Sequence, residues 1–445
     1  MEQINTRETV LSVLMDIEHG EKSDIALSNA LFKNQFIDKQ DRAFITRLAE
    51  GVTERRITLD FVLDSYSKTK TKKMKPLIRN VLRMGAYQLL FMDGVPAHAA
   101  VSESVKLVKK HGFQNLSGFC NGVLRSVERG GKEINYPEER LTRLSVEYSA
   151  PLWLCEKLLA DYPEECEGML AAAFTDRKTA IRVNLNLTDV EAVRQKLTDA
   201  GITVEKSSYS DRALLISGYD SVRRLPGFLQ GEFSVQDESG ISSMDALHRA
   251  AADADIDVKN VWDVCAAPGG KTMALAELLP KASFTAMDIS EGKLERISEN
   301  VERIRQEDRV RVLAHDATEP FDDVLSEEKP QIIICDVPCS GLGVLGHKND
   351  IKYRITQEGI ENLVKLQREI LDNVAAYVAE GGLLLYSTCT VTPEENEGNA
   401  TWFLETHPEY KSVSKRQFIP GRDSCDGFYY HIFLKTRRDS SLRSE

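Results

Sequence analysis

Two cysteines in this chain sit where thiol chemistry could be done. Cys339 lies in Asp336-Val-Pro-Cys-Ser-Gly-Leu-Gly343 and Cys389 in Tyr386-Ser-Thr-Cys-Thr390. Each follows an apolar run that reads as a buried strand. A single cysteine there is ordinarily a small apolar filler. Two of them, at neighbouring strand ends, suit a reaction that needs two thiols. Methylation of cytosine at C5 is such a reaction. That carbon is a poor nucleophile until a thiolate adds at C6, and a base must later remove the C5 proton so that the thiolate can leave. Both cysteines then need surroundings that lower their pKa or hold a base nearby.

A third stretch, Asp263-Val-Cys-Ala-Ala-Pro-Gly-Gly-Lys-Thr272, follows a strand and opens a helix. Its two glycines let backbone approach a ligand closely. Two readings compete for it. As a phosphate loop it lacks the first glycine, where Cys265 stands, and Pro268 removes an N–H from the cradle. As a nucleoside loop it is followed by Asp288, 18 residues beyond Gly270, a spacing at which an acid accepts hydrogen bonds from ribose hydroxyls. A lone acid at a strand end is usually a helix cap. Here three in series, Asp288, Asp316 and Asp336, line one sheet edge. Carboxylates repel phosphate and attract the sulfonium of S-adenosylmethionine, so the acidic edge favours that cofactor.

These residues need a parallel sheet to bring them together. From Val261 onward, apolar strands (Val261 to Cys265, Ser283 to Asp288, Val310 to Ala314, Gln331 to Asp336, Gly382 to Ser387) alternate with amphipathic helices. That predicts an α/β domain with crossover helices on both faces and a ligand site at the carboxyl ends of the strands. Upstream, Ile181 to Leu185, Ile202 to Val204 and Leu214 to Ile216 read as strands around a helix over Val190 to Ala200, a small α/β unit. Residues 1–130 read as helices. Apolar positions recur at three-to-four spacing in Glu8 to Ile17, Asp41 to Val52 and Ile57 to Leu63, and Pro76 opens a further helix. The Gly130-Gly131 pair and Pro137 mark a linker.

Composition agrees with a water-soluble, multidomain chain: 445 residues, 42% hydrophobic and 28% charged. No apolar run approaches the ~18 residues of a membrane span. A polar, mixed-charge N-terminus argues against a secretory signal. Eight cysteines without a Cys-x-x-Cys exclude a disulfide scaffold and a structural zinc site, which leaves a reducing cytoplasm as the expected compartment. The net charge of −12 divides unevenly, +4 over residues 1–140 and −16 beyond. No acid falls between Asp64 and Asp93, whereas Lys68, Lys70, Lys72, Lys73, Lys75, Arg79 and Arg83 do. Such a window is either a solvated helix start or a nucleic-acid patch.

Taken together, these motifs resemble the RNA cytosine-C5 methyltransferases of the Sun/Nop2 family. Asp38 to Arg42, Leu77 to Met92 and Asn121 to Arg125 further resemble the NusB-like RNA-binding domain fused to the bacterial branch that acts on 16S ribosomal RNA. The resemblance implies three parts: an all-α NusB-like domain over 1–135, linker helices and a small α/β RNA-recognition-like appendage over 136–235, and a Rossmann-like methyltransferase domain over 236–445. It implies Cys389 as the nucleophile and Cys339 as the residue that assists release. Asp336 would face the target cytosine and the methionine end of S-adenosylmethionine. Cys265, Ala266, Ala267, Pro268, Gly269, Gly270 and Lys271 would form the cofactor loop, with Asp288 on the ribose and Asp316 on the adenine edge. No metal is implied. The substrate would be 16S ribosomal RNA or a small-subunit assembly intermediate, and the enzyme a monomer. Gly346, His347 and Asn349 depart from the family's pattern in a loop expected to meet RNA. A purely RNA-binding antitermination factor would have no use for the paired cysteines.

Overall fold

The computed structural model describes residues 5–34, 36–175, 178–324 and 328–437. The chain forms two compact units. One runs to Ala173 and includes Leu345–Arg354; the other takes Phe174–Val344 and the chain from Ile355 onward.

The first unit is all helical. Helices Thr6–Glu18, Lys39–Glu54, Arg56–Tyr66, Pro76–Phe91, Ala97–Lys110 and Ser117–Gly130 bury the apolar stripes read in the sequence, with Leu59, Val81, Leu82 and Leu124 fully inside. Asp38 caps the second of these by accepting from Asp41 N, and Pro76 occupies the first turn of its helix. Helix Ser23–Lys33 escaped the sequence reading because it buries only Ala26 and Leu27 and leaves Phe32 75% exposed. Helices Arg140–Glu147, Leu152–Asp161 and Cys166–Ala172 belong to this unit as well. The cut drawn at 135 in the sequence therefore falls inside it: Thr58 Oγ1 donates to Val146 O at 2.5 Å, and Ile57 N to Ser149 Oγ at 2.8 Å.

Two sequence features look different in this unit. The basic window divides: its five lysines are exposed, but Arg79 pairs with Glu18 and Arg83 with Asp60 at 2.6 Å. The atypical loop is anchored, since Asp350 Oδ2 accepts from Ser23 N at 3.1 Å and the Tyr353 ring lies 3.8 Å from the Arg56 guanidinium.

The second unit holds two sheets. Strands β1 (Thr179–Val183), β2 (Thr203–Lys206), β3 (Ala213–Ser217) and β4 (Phe233–Val235) form an antiparallel sheet of order β2-β3-β1-β4, with helix Val190–Asp199 packed on it. The larger sheet uses β5 (Asn260–Asp263), β6 (Ser283–Asp288), β7 (Val310–Ala314), β8 (Ile332–Asp336), β9 (Leu383–Thr388), β10 (Tyr410–Phe418) and β11 (Phe428–Lys435) in the order β10-β11-β9-β8-β5-β6-β7. The expected all-parallel sheet holds for β5 to β9 only. β11 runs antiparallel to both β9 and β10. Both faces are covered, so alternate residues enter different cores: Val261, Ile332, Ile334 and Leu385 on one side, Trp262, Ile333, Cys335 and Tyr386 on the other. Among the described residues no helix is long and apolar enough to cross a membrane.

The small sheet is fastened by buried ion pairs that converge on Glu277. Arg182 of β1 meets Glu277 of helix Gly270–Leu278 in a two-pronged bond, Nε to Oε2 and Nη2 to Oε1, both 2.8 Å. Neither side chain is more than 1% exposed. Removing one partner of such a pair leaves a buried charge under-compensated. Arg182→Met leaves Glu277 only its bond from Arg212 and should destabilise this unit by about 3 kcal/mol, whereas Arg182→Met with Glu277→Leu, in which Arg212 keeps Asp245, should recover much of the loss. Urea unfolding of the three proteins would check this.

Candidate active site

The carboxyl ends of β5, β6, β8 and β9 carry the sequence-selected residues. β5 runs into the loop 264–269. Gly269, at φ +97°, turns the chain into helix Gly270–Leu278, a conformation that L side chains rarely adopt. Asp288, at the end of β6, is 5% exposed. One of its oxygens accepts from Ala267 N at 3.3 Å and the other from Ser290 N at 3.1 Å, with Lys293 Nζ at 3.4 Å. It thus holds the loop in place and caps the turn after its own strand. Asp316 stands two residues past β7, where bonds from Thr318 N (3.0 Å) and Thr318 Oγ1 (2.8 Å) hold its carboxyl below the usual range. Burial, reinforced by Asp263, Asp336 and Asp288, pushes the Cys265 thiol far up, so this cysteine packs and does not ionise.

Parallel pairing of β8 with β9 sets Asp336 opposite Ser387. Ser387 Oγ donates to Asp336 Oδ1 at 2.8 Å, and Lys271 Nζ donates to Asp336 Oδ2 at 2.6 Å. Burial alone would lower the Lys271 ammonium; Asp336, helped by Cys389 and Asp263, outweighs it and raises its pKa. The same register brings the two loops beyond the strands together. Cys339 Sγ lies 3.2 Å from Cys389 Sγ, and Cys389 N donates to Cys339 Sγ at 3.3 Å. Neither sulfur is in a disulfide. Hydrogen bonding to Cys389, then burial, then the charges of Cys389 and Glu395 push the Cys339 thiol well up. The loops also touch the segment before β11. Gly343 N donates to Cys389 O at 3.1 Å, Gly427 N to Gly343 O at 2.9 Å, and a Cβ at 343 would fall 2.0 Å from Gly427 O.

A cavity of about 240 Å³ opens here. Asp263, Ala266, Ala267, Pro268, Gly270, Lys271, Asp336 and Cys389 line it. Gln236, Asp237 and Ser239, which the sequence reading did not select, also line it, as do Asp426 and Phe428 of the stretch Asp426-Gly-Phe428, which resembles the closing strand of the Sun/Nop2 family. Cys265, Gly269, Asp288, Asp316 and Cys339 lie outside it. Asp263 Oδ1 is buried with no hydrogen-bond partner, although Oδ2 accepts from Thr272 Oγ1 at 2.5 Å. Four carboxylates around one Lys, one of them with an unsatisfied oxygen, fit a cationic ligand such as a sulfonium and not a triphosphate. The lysine that a phosphate loop would need is already paired with Asp336. The acid at 237 gave no signal because it sits in an ordinary cap context, at the start of helix Glu238–Asp253.

Comparison with known proteins agrees with this geometry. The family model of 16S rRNA methyltransferase RsmB/F matches residues 254–434, the NusB family matches 4–129, and the ferredoxin-like domain of RsmF/B-like methyltransferases matches 150–223. The chain is similar to the probable ribosomal RNA small subunit methyltransferase B of Bacillus subtilis (strain 168), at 31% identity over 96% of this chain and 98% of that one. It is 31% identical to the ribosomal RNA small subunit methyltransferase B of Vibrio cholerae, over 97% and 98%. The crystal structure of PH0851 superposes with a TM-score of 0.80 at 25% identity, covering 97% of this chain and 99% of that one.

The buried acid makes a pH prediction. Burial first, then the neighbouring Asp336, raise Asp263 from 3.8 to about 7, against the opposing bond from Thr272. Between those values the folded protein holds a proton that the unfolded chain has released. Stability must then fall as pH rises from about 4 to about 7, and level off above. Asp263→Asn should flatten that slope, as read from urea midpoints across the same range.

Proposed function

Because the chain belongs to the ribosomal RNA small subunit methyltransferase B family, we propose that it methylates C5 of a specific cytosine in 16S ribosomal RNA through a covalent bond from Cys389 to C6. The observation that carries this reading is the pair of thiols 3.2 Å apart beside an acidic cavity. S-adenosylmethionine, when bound, supplies the methyl group as an activated sulfonium. Ala266, Ala267, Pro268, Gly270 and Lys271 would hold it in the cavity, with Cys265 and Gly269 shaping the loop. Asp288 and Asp316 would serve its ribose and adenine, and Asp336 would reach both its methionine end and the cytosine.

The two thiols take different roles. As the resemblance of its Thr-Cys motif implies, Cys389 forms the bond to C6 and electrons flow into the ring toward C5. Charged Lys271 lies against Asp336 and attracts a Cys389 thiolate. Once C5 carries the methyl group, a base takes its proton, the C5–H electron pair re-forms the C5=C6 double bond, and the Cys389–C6 bond breaks with its pair on sulfur. Cys339, against the departing sulfur, assists that step. The substrate is 16S ribosomal RNA, free or within a partly assembled small subunit, and the helical unit supplies part of the contact through the exposed lysines at 68–75.

Bisulfite sequencing of 16S ribosomal RNA incubated with the enzyme should reveal one protected cytosine. Cys389→Ala should abolish methylation and any covalent adduct. Cys339→Ala should trap an RNA–protein adduct that survives denaturing electrophoresis, and the double variant should show none. An adduct formed by Cys389→Ala instead would exchange the roles.

A second test concerns RNA contact. Each phosphate contact contributes roughly 0.7–0.9 to the slope of log affinity against log salt. Lys70, Lys72 and Lys73 replaced by Ala should weaken RNA binding and flatten that slope, with S-adenosylhomocysteine affinity unchanged. An unaltered slope would return these lysines to plain solvated surface.

A further inference from the structure

Behind the two cysteines lies a carboxylate that touches neither. Glu395 follows Cys389 by six residues and is fully buried. Its Oε1 accepts from Ser340 N at 2.8 Å and Gln367 Nε2 at 2.9 Å. Its Oε2 accepts from Ser340 Oγ and Thr392 Oγ1, both at 2.5 Å. Four donors fill the carboxylate's acceptor sites, so nothing about this group is left for solvent or substrate.

The donors come from three segments. Ser340 directly follows Cys339, and Thr392 lies just beyond Cys389. Gln367, from helix Gln357–Ala375, uses the same amide to donate to Pro338 O at 2.9 Å. Cys339 is therefore bracketed on both sides by groups that meet at Glu395. The two loops also touch directly at Ser340 Oγ and Thr390 Oγ1, 2.7 Å apart. Hydrogen bonds to an ionised acceptor are short and about twice as strong as neutral ones. The low dielectric of the site strengthens them further.

We propose that Glu395 is a positioning residue: by binding the Cys339 loop to the Cys389 loop it sets the distance between the two sulfurs, and through it the rate at which the methylated base is released. The release half of this inference rests on the covalent reading above; the spacing half does not. Attack by Cys389 needs only that sulfur and the base. Elimination needs both sulfurs in register, so loosening Glu395 falls mainly on the later step.

Glu395→Gln is the informative variant. A glutamine offers one oxygen to Ser340 N and Gln367, while its NH₂ can donate to the two hydroxyls, which turn to accept. The clamp loses its charge and keeps its shape, and folding should survive. Two readouts separate the claims in the full-length enzyme. The first is oxidation by diamide, in which two thiols become a Cys339–Cys389 disulfide and diamide takes up the two protons and electrons. Mass spectrometry should show this disulfide forming about tenfold more slowly than in wild type, the scale at which small displacements act on reacting pairs. The second is single-turnover kinetics with RNA and S-adenosylmethionine. Adduct formation should stay within about threefold, while adduct decay slows about tenfold. Glu395→Asp keeps the charge and should recover part of both.

Wild-type disulfide rates in a folded Glu395→Gln variant would overturn the spacing role. Equal slowing of adduct formation and decay, with a lowered unfolding midpoint, would reduce Glu395 to a structural residue. Absence of any adduct in Cys339→Ala would instead remove the covalent reading, and the diamide experiment would still judge the spacing.

Discussion

The register of β8 against β9 governs this active site. These parallel neighbours place Asp336 opposite Ser387. From there one strand reaches its cysteine after three residues and the other after two. A shift of one residue would turn Ser387 away from Asp336 and move every side chain of the strand to the opposite core. That is costly here, because both faces are buried: Leu384 and Tyr386 fill one core, Leu383 and Leu385 the other. The hydrophobic alternation along β9 therefore does more than stabilise a sheet. It is what makes two thiols fifty residues apart in sequence meet at 3.2 Å.

Electrostatics explains why the sheet edge tolerates so many acids. Asp263, Asp237, Asp336 and Asp426 surround one cavity. Each is handled separately. Asp336 is neutralised by Lys271, Asp237 caps a helix, and Asp263, the most deeply buried, holds a proton up to about pH 7. Away from the cavity the same logic fastens the small sheet, where Arg182 and Arg212 share Glu277 and Arg212 also takes Asp245 at 2.8 Å. At Asp336 and at Glu277 alike, a carboxylate is matched by opposite charge at hydrogen-bond distance, as the cost of desolvation requires.

Much of this was legible in the sequence, for reasons that differ by residue. The strand–loop–helix at Asp263 to Thr272 and both cysteine motifs lie at strand ends, so local pattern and site geometry coincide. The helical stripes of the first unit were equally plain, because each buries a continuous face. What stayed hidden depends on distant pairing. β10 and all but the start of β11 escaped because an antiparallel hairpin appended to a parallel sheet breaks the strand–helix alternation. β4 is only three residues long. Arg182 lies in a short alternating strand, where nothing local marks its guanidinium as wholly internal. Glu395 sits in Pro393-Glu-Glu-Asn-Glu397, an acidic run that resembles solvated surface. Only the folded chain shows that its middle member faces inward while Glu397 pairs with Lys415 at the surface.

An acidic cavity that attracts a cation also opposes a thiolate, and the site must reconcile the two. Asp263 and Asp336 both disfavour negative charge on a nearby sulfur. Two features of the chain offset this at Cys389. Lys271 stays charged beside Asp336 and attracts the sulfur. A proton on Asp263, whose pKa is raised to about 7, removes one carboxylate. On the proposed reading these two let a Cys389 thiolate form among the acids, and Cys339, 3.2 Å away, is left for the later step in which the bond to C6 breaks. A cavity acidic enough for a sulfonium can thus still hold a nucleophilic sulfur.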